Sequence, residues 1–326
     1  MYTSKQPQAC FRIFIGLFLV FSMLVGCGPS NTDLEAVDYS PLPVDDWLVS
    51  TPAEQGVDPK LVAKLYLDAD ELESLYGLLV IKNGHLIAED YFHEGSIEQL
   101  SARHSATKSY TSALVGIALE QGCLSSVDQN MLEFFPELAD RIKDPRKEQI
   151  TIRHLLQLRA GYPWEESTPE LFDLMYRGFR TRNLVEVPLV RDPGTGFDYS
   201  NLSSHLLGIL VARACDTDLK SYAQQYLFSP LGGEVGDWLR GWEGYYLGFA
   251  EIEITARDMA RFGQLYLEDG SFEGNQIVPA QWVRDSLQTY SEDAWYYRVG
   301  KNWRDSAYGY QWWSIRAGAH RYNLAW

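Results

Sequence analysis

An Asn83-Gly84 dipeptide between two short apolar runs is the feature that most constrains what this chain can fold into. The runs extend from Leu75 to Ile81 and from His85 to Phe92. Asn-Gly favours the tight two-residue turn of a β-hairpin, because both residues tolerate positive φ angles. The sequence therefore predicts two antiparallel strands that come directly before a helical segment.

Helical patterns dominate the middle of the chain, from Asp128 to about Gln225. Further on, Thr255 and Asp258 form a capping pair that opens a helix to Leu267. Ser306 to Ile315 is aromatic and strand-like. Strands near both chain ends with helices between them predict an α+β fold, in which both ends pair in one antiparallel sheet and a helical lobe lies between.

The charge balance excludes some classes of partner. The chain has 28 Lys and Arg residues against 44 Asp and Glu residues, a formal net charge of −16. Phosphate binding draws on clustered basic side chains, so nucleic acid is not expected as a partner. The six histidines are scattered, and neither Cys-x-x-Cys nor His-Glu-x-x-His occurs. We therefore expect no metal and no cofactor, and the sequence does not predict an oligomeric state.

The first residues have the pattern of a bacterial export signal. Lys5 and Arg12 precede an apolar run from Ile13 to Val25, which is too short for a comfortable membrane span. Leu24-Val25-Gly26-Cys27 matches the lipoprotein cleavage pattern, in which the cysteine is lipidated. We expect residues 1–27 to be a lipoprotein signal peptide that ends at the lipidation residue Cys27. An ordinary cleaved signal or an uncleaved anchor is the alternative.

This pattern predicts an extracytoplasmic protein that is lipid-anchored to a bacterial membrane. Residues 28–46 are predicted to be a flexible tether, and residues 47–326 the folded domain. Cys10 would leave with the signal peptide, so Cys123 and Cys215 remain in the folded part. They could pair in an oxidising compartment, but the sequence does not establish the distance between them.

Ser105 and Lys108 are the first candidates for chemistry. Three positions separate them, so on a helix the hydroxyl and the amine lie on one face within mutual reach. Ser109 to Gly122 reads as that helix, with a glycine at its C-cap. Ser105 would then lie near the helix N-terminus, where unpaired N–H groups favour developing negative charge. The alternative is a solvated lysine one turn past a helix cap.

A second motif, Tyr199-Ser200-Asn201, follows a turn-rich segment and opens a predicted helix to Ala212. Burial lowers the pKa of a lysine by up to several units, so a neutral Lys108 could take the serine proton or share it with Tyr199. The sequence does not decide which of the two accepts it. Taken alone, the motif is better explained as the N-cap turn of a helix with a packed tyrosine.

Together these motifs resemble the serine β-lactamase and penicillin-binding-protein superfamily, nearest its class C-like branch of esterases and amide hydrolases. The resemblance runs from about Trp47 to the end of the chain. It is carried by Ser105-Ala106-Thr107-Lys108-Ser109, Ile150-Thr151-Ile152-Arg153-His154-Leu155-Leu156, Pro193-Gly194-Thr195 with Tyr199-Ser200-Asn201, Thr255-Ala256-Arg257-Asp258-Met259-Ala260-Arg261-Phe262-Gly263, and Tyr308-Gly309-Tyr310-Gln311-Trp312-Trp313.

The resemblance implies that Ser105 is the nucleophile, Lys108 its proton partner and Tyr199 the general base or acid. Asn201 is implied as a contact to a substrate amide or to the lysine. The expected function is a serine hydrolase that cleaves a small-molecule ester or amide through an acyl-enzyme. A β-lactamase or a D-alanyl peptidase is an alternative. In another class, the chain would be a catalytically silent, membrane-tethered binding protein.

The site is expected in a cleft between the sheet and the helical lobe. Its candidate walls are the aromatic residues Trp164, Tyr245, Tyr246, Trp312 and Trp313. Core packing is an equally good interpretation for each of them taken singly. Glu165 and Glu166 could provide a hydrolytic base, although adjacent acids on a loop are usually solvated.

The family also has a third motif, a Lys/His-x-Gly-type strand that lines the active site and contributes an oxyanion N–H. Ala319-His320-Arg321 lacks the glycine of that motif, and Arg321 to Trp326 reads as a further strand. We expect the sequence to be a fragment or a damaged family member whose C-terminal strands are missing. Such a chain would be one oxyanion donor short and therefore poorly active.

Overall fold

A computed structural model describes residues 29–44, 46–294 and 302–326. The predicted signal peptide and Cys27 lie outside the described residues. No helix in these three ranges combines the length and the apolar content that a membrane crossing requires.

Helices and short strands alternate along the chain. The helices are α1 (Asn31–Glu35), α2 (Pro59–Asp70), α3 (Thr107–Glu120), α4 (Ile152–Leu156), α5 (Pro169–Asp173), α6 (Asn183–Glu186), α7 (Asn201–Ala214), α8 (Leu219–Ala223), α9 (Ala256–Leu267) and α10 (Ala280–Ser286). The strands are β1 (Leu78–Lys82), β2 (His85–Asp90), β3 (Ser101–Ala102), β4 (Glu253–Ile254), β5 (Ser271–Phe272), β6 (Asn275–Gln276), β7 (Ser291–Glu292), β8 (Trp303–Tyr308), β9 (Trp313–Ala317) and β10 (His320–Leu324).

The predicted hairpin is confirmed. Strands β1 and β2 pair antiparallel, with Lys82 opposite His85. Asn83 and Gly84 have φ angles of 51° and 75°, as a two-residue turn with two left-handed positions requires. The strands are shorter than predicted, because β1 begins at Leu78 rather than at Leu75.

The mixed helix-and-strand class is confirmed, but the two ends of the described chain do not share one sheet. The hairpin forms a two-stranded sheet, whereas the C-terminal strands form a separate antiparallel sheet of order β10-β9-β8-β7. The edge of β2 that faces away from β1 is occupied by residues 48–50, which precede the hairpin. Leu86 donates to the Leu48 carbonyl at 2.8 Å and accepts from the Ser50 N–H at 3.3 Å, so these backbone groups of β2 are already paired.

Part of the predicted tether packs on the domain. The Glu89 N–H donates to the Tyr39 carbonyl at 2.9 Å, and the Leu42 N–H donates to the Glu89 carboxylate at 2.9 Å. Asp46 pairs with Arg257 and with Arg261 of α9. The ordered contacts of the domain therefore begin before residue 47.

Helices α3 and α7 pack against each other in the main core, and nearly all their residues are buried. Gly122, with a φ angle of 75°, lies just after α3, as the predicted glycine C-cap requires. Cys123 follows α3 and Cys215 follows α7, and they form a disulfide with a Cα–Cα distance of 5.1 Å. The structure thus answers the pairing question that the sequence left open.

Candidate active site

Ser105 lies in a short 3₁₀ turn, His104–Ala106, that leads directly into α3. Lys108 is in the first turn of α3, and its Nζ lies 3.0 Å from the Ser105 Oγ. The serine is partly exposed, whereas Lys108 is only 1% exposed. The helical spacing predicted from the sequence therefore brings a reachable hydroxyl against a buried amine.

The surroundings of Lys108 favour its neutral form. Burial lowers the pKa of Lys108 to about 7, and the carboxylates of Glu166 and Glu165 oppose that shift. The Nζ also donates to the Phe249 carbonyl at 3.1 Å and lies 4.7 Å from the centre of the Tyr199 ring. A large fraction of this amine is neutral near pH 7, so it can accept a proton.

Tyr199 lies directly before Ser200, which caps α7 by accepting a hydrogen bond from the Ser203 N–H at 3.1 Å. The phenol of Tyr199 hydrogen-bonds with the Ser105 side chain, and burial raises the pKa of Tyr199. Its ring stacks on Trp313 at a centroid distance of 5.6 Å. Tyr199 is therefore a neutral phenol at pH 7 that is held against the serine hydroxyl.

Ser105 opens into a cleft of about 410 Å³. The side chains that line it around the serine are Arg103, His104, Trp164, Glu166, Tyr199, Trp313 and Trp326. The predicted walls Trp164 and Trp313 are thus at the cleft. Four aromatic side chains next to one carboxylate provide a largely apolar surface beside the nucleophile.

Asn201 does not line the cleft. It is fully buried, and its Nδ2 donates to the Glu166 carboxylate at 3.0 Å. Its Oδ1 is a buried acceptor that has no hydrogen-bond partner among the described residues. The structure therefore places Asn201 behind Glu166, and within the described part of the chain the Lys108 amine bonds to Ser105 and to the Phe249 carbonyl rather than to Asn201.

Tyr245 and Trp312 were predicted as substrate contacts, and the structure places both away from the serine cleft. The Tyr245 hydroxyl accepts a hydrogen bond from the Arg213 Nε at 2.9 Å. Trp312 is 6% exposed, and its ring packs on Tyr266 at 4.5 Å. Trp312 directly precedes β9, and successive side chains of extended backbone point to opposite sides, so Trp313 faces the cleft while its neighbour faces the core. Tyr246 also lies elsewhere, with its ring against Trp238.

Several groups at the site were missed by the sequence analysis. The Phe249 carbonyl that holds Lys108 is a backbone group 141 positions away, for which no sequence motif exists. His104 has a φ angle of 33° and its ring Nδ1 lies 3.1 Å from the Glu251 carboxylate. Trp326 was read only as the end of a strand, yet it lines the cleft.

Comparison with known proteins gives the family. A sequence model of the family described as Beta-lactamase matches residues 77–322. The 6-aminohexanoate-dimer hydrolase of Paenarthrobacter ureafaciens is 26% identical over 260 residues, which are 75% of this chain and 66% of that protein. The chain spans less than two thirds of the length of the curated relatives that it matches.

Solved structures show the same fold. A D-amino acid amidase from Ochrobactrum anthropi SV3 has a TM-score of 0.57 at 18% identity, covering 76% of this chain and 78% of the amidase. An octameric penicillin-binding protein homologue from Pyrococcus abyssi has a TM-score of 0.60 at 20% identity, covering 79% of this chain and 65% of that protein. The resemblance that rested on the serine, lysine and tyrosine motifs is confirmed, and the chain belongs to the Beta-lactamase family.

Proposed function

We propose that this chain is a serine hydrolase that cleaves a small-molecule carboxylic ester or amide through an acyl-enzyme on Ser105. The observation that carries this proposal is the 3.0 Å contact between the Lys108 Nζ and the Ser105 Oγ at the base of an open cleft. Family membership and similarity to a 6-aminohexanoate-dimer hydrolase support it.

In the proposed mechanism the Ser105 oxygen attacks the substrate carbonyl carbon while neutral Lys108 takes the hydroxyl proton. A general base works best when its pKa is close to the working pH, and the pKa of Lys108 is about 7. Tyr199, a neutral phenol bonded to the serine, donates a proton to the leaving alcohol or amine and regains it from the lysine. Water then attacks the ester on Ser105, releases the acid and returns the proton.

The cleft also indicates what kind of substrate fits. Trp164, Trp313 and Trp326 surround the nucleophile with aromatic surface. Burying apolar surface of a substrate against these rings favours binding by about 25 cal/mol per Å² removed from water. We expect substrates with an apolar group next to the scissile bond to react faster than small polar esters.

Active-site labelling tests the proposal. A fluorophosphonate probe, followed by peptide mapping, is expected to give an adduct on Ser105 that Ser105→Ala lacks. Ser96→Ala, which changes an exposed serine, is the matched control and should label like the wild type. Absence of an adduct on Ser105 in the folded protein would instead support the catalytically silent binding protein. A stable penicillin adduct would point to the D-alanyl peptidase alternative.

We also propose that the protein is lipid-anchored on the extracytoplasmic side of a bacterial membrane. The support is the sequence alone, from the apolar run to Leu24-Val25-Gly26-Cys27. Wild-type protein expressed in a bacterial host is expected to partition with membranes and to carry a lipid mass on Cys27. Cys27→Ala should remove that mass, whereas Cys10→Ala should keep it. Equal masses and partitioning for the wild type and Cys27→Ala would contradict the anchor.

A further inference from the structure

Glu165 and Glu166 are adjacent carboxylates in opposite surroundings. Glu166 is exposed at the rim of the cleft, whereas Glu165 is only 1% exposed. Taking a carboxylate out of water is costly unless hydrogen bonds compensate it. The proposed mechanism makes no use of Glu165, so its buried position requires another explanation.

The Glu165 carboxylate accepts three hydrogen bonds from one distant segment. Its Oε1 accepts from the Ser200 Oγ at 2.8 Å and from the Leu202 N–H at 3.1 Å. Its Oε2 accepts from the Asn201 N–H at 2.7 Å. The first backbone N–H groups of a helix have no partner within the helix, and here a carboxylate from another loop binds two of them. Glu165 therefore fixes the start of α7, directly after Tyr199.

The same loop forms part of the cleft. Trp164 lies directly before Glu165 and Glu166 directly after it, and both line the cleft. Glu166 adds a second connection, because it accepts from the Asn201 Nδ2 at 3.0 Å. The carboxylate of Glu165 thus links one wall of the cleft to the turn that carries the phenol of Tyr199.

We propose that Glu165 is a positioning residue that holds the Tyr199–Asn201 turn against the Ser105–Lys108 pair. This inference rests on the proposed hydrolase function for its kinetic consequence. Its structural part, the anchoring of the turn, stands independently of turnover.

The protonation state of Glu165 sets the conditions for testing this role. Burial raises the pKa of the Glu165 carboxyl to about 7, although the hydrogen bonds from Leu202, Ser200 and Asn201 favour its charged form. Variants of Glu165 are therefore compared above pH 7, where the carboxylate of Glu165 and the neutral amine of Lys108 both predominate.

Two substitutions test the anchoring in different ways. Glu165→Gln keeps the shape but turns an NH₂ group toward a backbone donor, and we expect labelling of Ser105 to slow by roughly 10- to 100-fold. Glu165→Asp keeps both carboxylate oxygens but is one methylene too short to reach the turn, so it should also slow labelling. The matched control is Glu170→Gln, an exposed glutamate of α5, which should label like the wild type.

Hydrogen exchange provides a readout that does not depend on turnover. In Glu165→Gln at least one of the Asn201 and Leu202 amides should exchange roughly five- to tenfold faster than in the wild type, because the NH₂ group that replaces one carboxylate oxygen cannot accept its hydrogen bond. If Glu165→Gln does not fold, the exchange of Glu165→Asp decides. Unchanged exchange of both amides would overturn the positioning role. Absence of labelling in the wild type would overturn the proposed hydrolase, while the exchange rates would still decide the anchoring.

Discussion

At the scale of single residues, the site is a small proton-transfer unit. Lys108 touches Ser105 and lies over the ring of Tyr199, and Tyr199 bonds back to Ser105. Groups that act as one unit lose most of their effect when any member is removed. This coupling predicts how substitutions of these residues lower activity and how activity depends on pH.

Removing any member of the unit should be nearly as damaging as removing two. Lys108→Ala and Tyr199→Phe are each expected to lower kcat/KM by roughly 10³- to 10⁶-fold, and the double variant should be scarcely worse than the worse single variant. Steady-state kinetics with an activated ester measures this. Independent, multiplicative losses in the double variant would show that the two residues act in separate steps.

The pH profile of wild-type activity should follow the ionisation of the Lys108 amine. Only the neutral amine accepts the serine proton, so kcat/KM should rise with pH through the lysine pKa of about 7 and level off above it. Lys108→Arg keeps a positive charge that does not dissociate near neutral pH, so it should remain inactive across this range. Lys143→Arg, at an exposed lysine, should keep the wild-type profile. A flat profile through neutral pH would exclude the lysine as base.

At the scale of secondary-structure elements, packing distinguishes residues that look alike in the sequence. Gly116 lies in the interior of α3 and Gly263 in the interior of α9. A Cβ at Gly116 would lie 2.4 Å from the Cγ of Trp282 in α10, whereas a Cβ at Gly263 would have nothing within 4 Å. The first glycine permits a close helix contact, and the second only reduces helix propensity.

The matching alanine substitutions should therefore have opposite signs. Gly116→Ala is expected to lower the free energy of unfolding by about 1–3 kcal/mol, because the ring of Trp282 must move. Gly263→Ala should raise it by about 0.4–1 kcal/mol, because alanine restricts the unfolded chain and favours the helix. Urea unfolding followed by circular dichroism measures both. Equal effects at the two positions would contradict the close packing of α3 on α10.

At the scale of the whole molecule, a buried ion cluster joins three distant parts of the chain. Glu89 of β2 pairs with Arg257 of α9 at 2.6 Å, and Arg257 also pairs with Asp46 of the N-terminal segment. Arg261 binds the same Asp46 at 2.6 Å. Glu89 and Arg257 are almost completely buried, so each charge depends on the other.

Breaking the cluster should destabilise the whole domain. Burial raises the pKa of Glu89, but hydrogen bonds, above all from Arg257, outweigh it and leave the pKa below the ordinary 4.5. Its contribution is thus present above about pH 4.5 and is lost as the pH falls through the lower folded value. Glu89→Gln should lower the free energy of unfolding at neutral pH by about 3 kcal/mol and should weaken the acid dependence.

Glu73→Gln, at an exposed glutamate, is the control for Glu89→Gln and should change stability little. Urea unfolding at neutral and at acid pH compares the two variants with the wild type. If the two variants have the same stability at neutral pH, the cluster does not hold the N-terminal segment, β2 and α9 together.

Patterns that span a few residues were sufficient to predict several secondary-structure elements and the reactive pair of this protein. The Asn83-Gly84 turn, the Thr255 cap and the Ser105–Lys108 spacing were all predicted, and the structure confirms each. Each depends on backbone geometry within one turn or one helix, which the local residue types determine. The family resemblance came from the same short motifs.

Contacts between distant parts of the chain were decided only by the tertiary structure. It pairs Cys123 with Cys215, turns Trp313 rather than Trp312 to the cleft, and brings Glu165 to the start of α7. It also keeps the hairpin out of the C-terminal sheet. Such contacts depend on how the whole core packs, and many sequences with the same local patterns could pack differently. That is why the chain by itself determined its elements and its reactive pair, while the walls and supports of the site required the folded molecule.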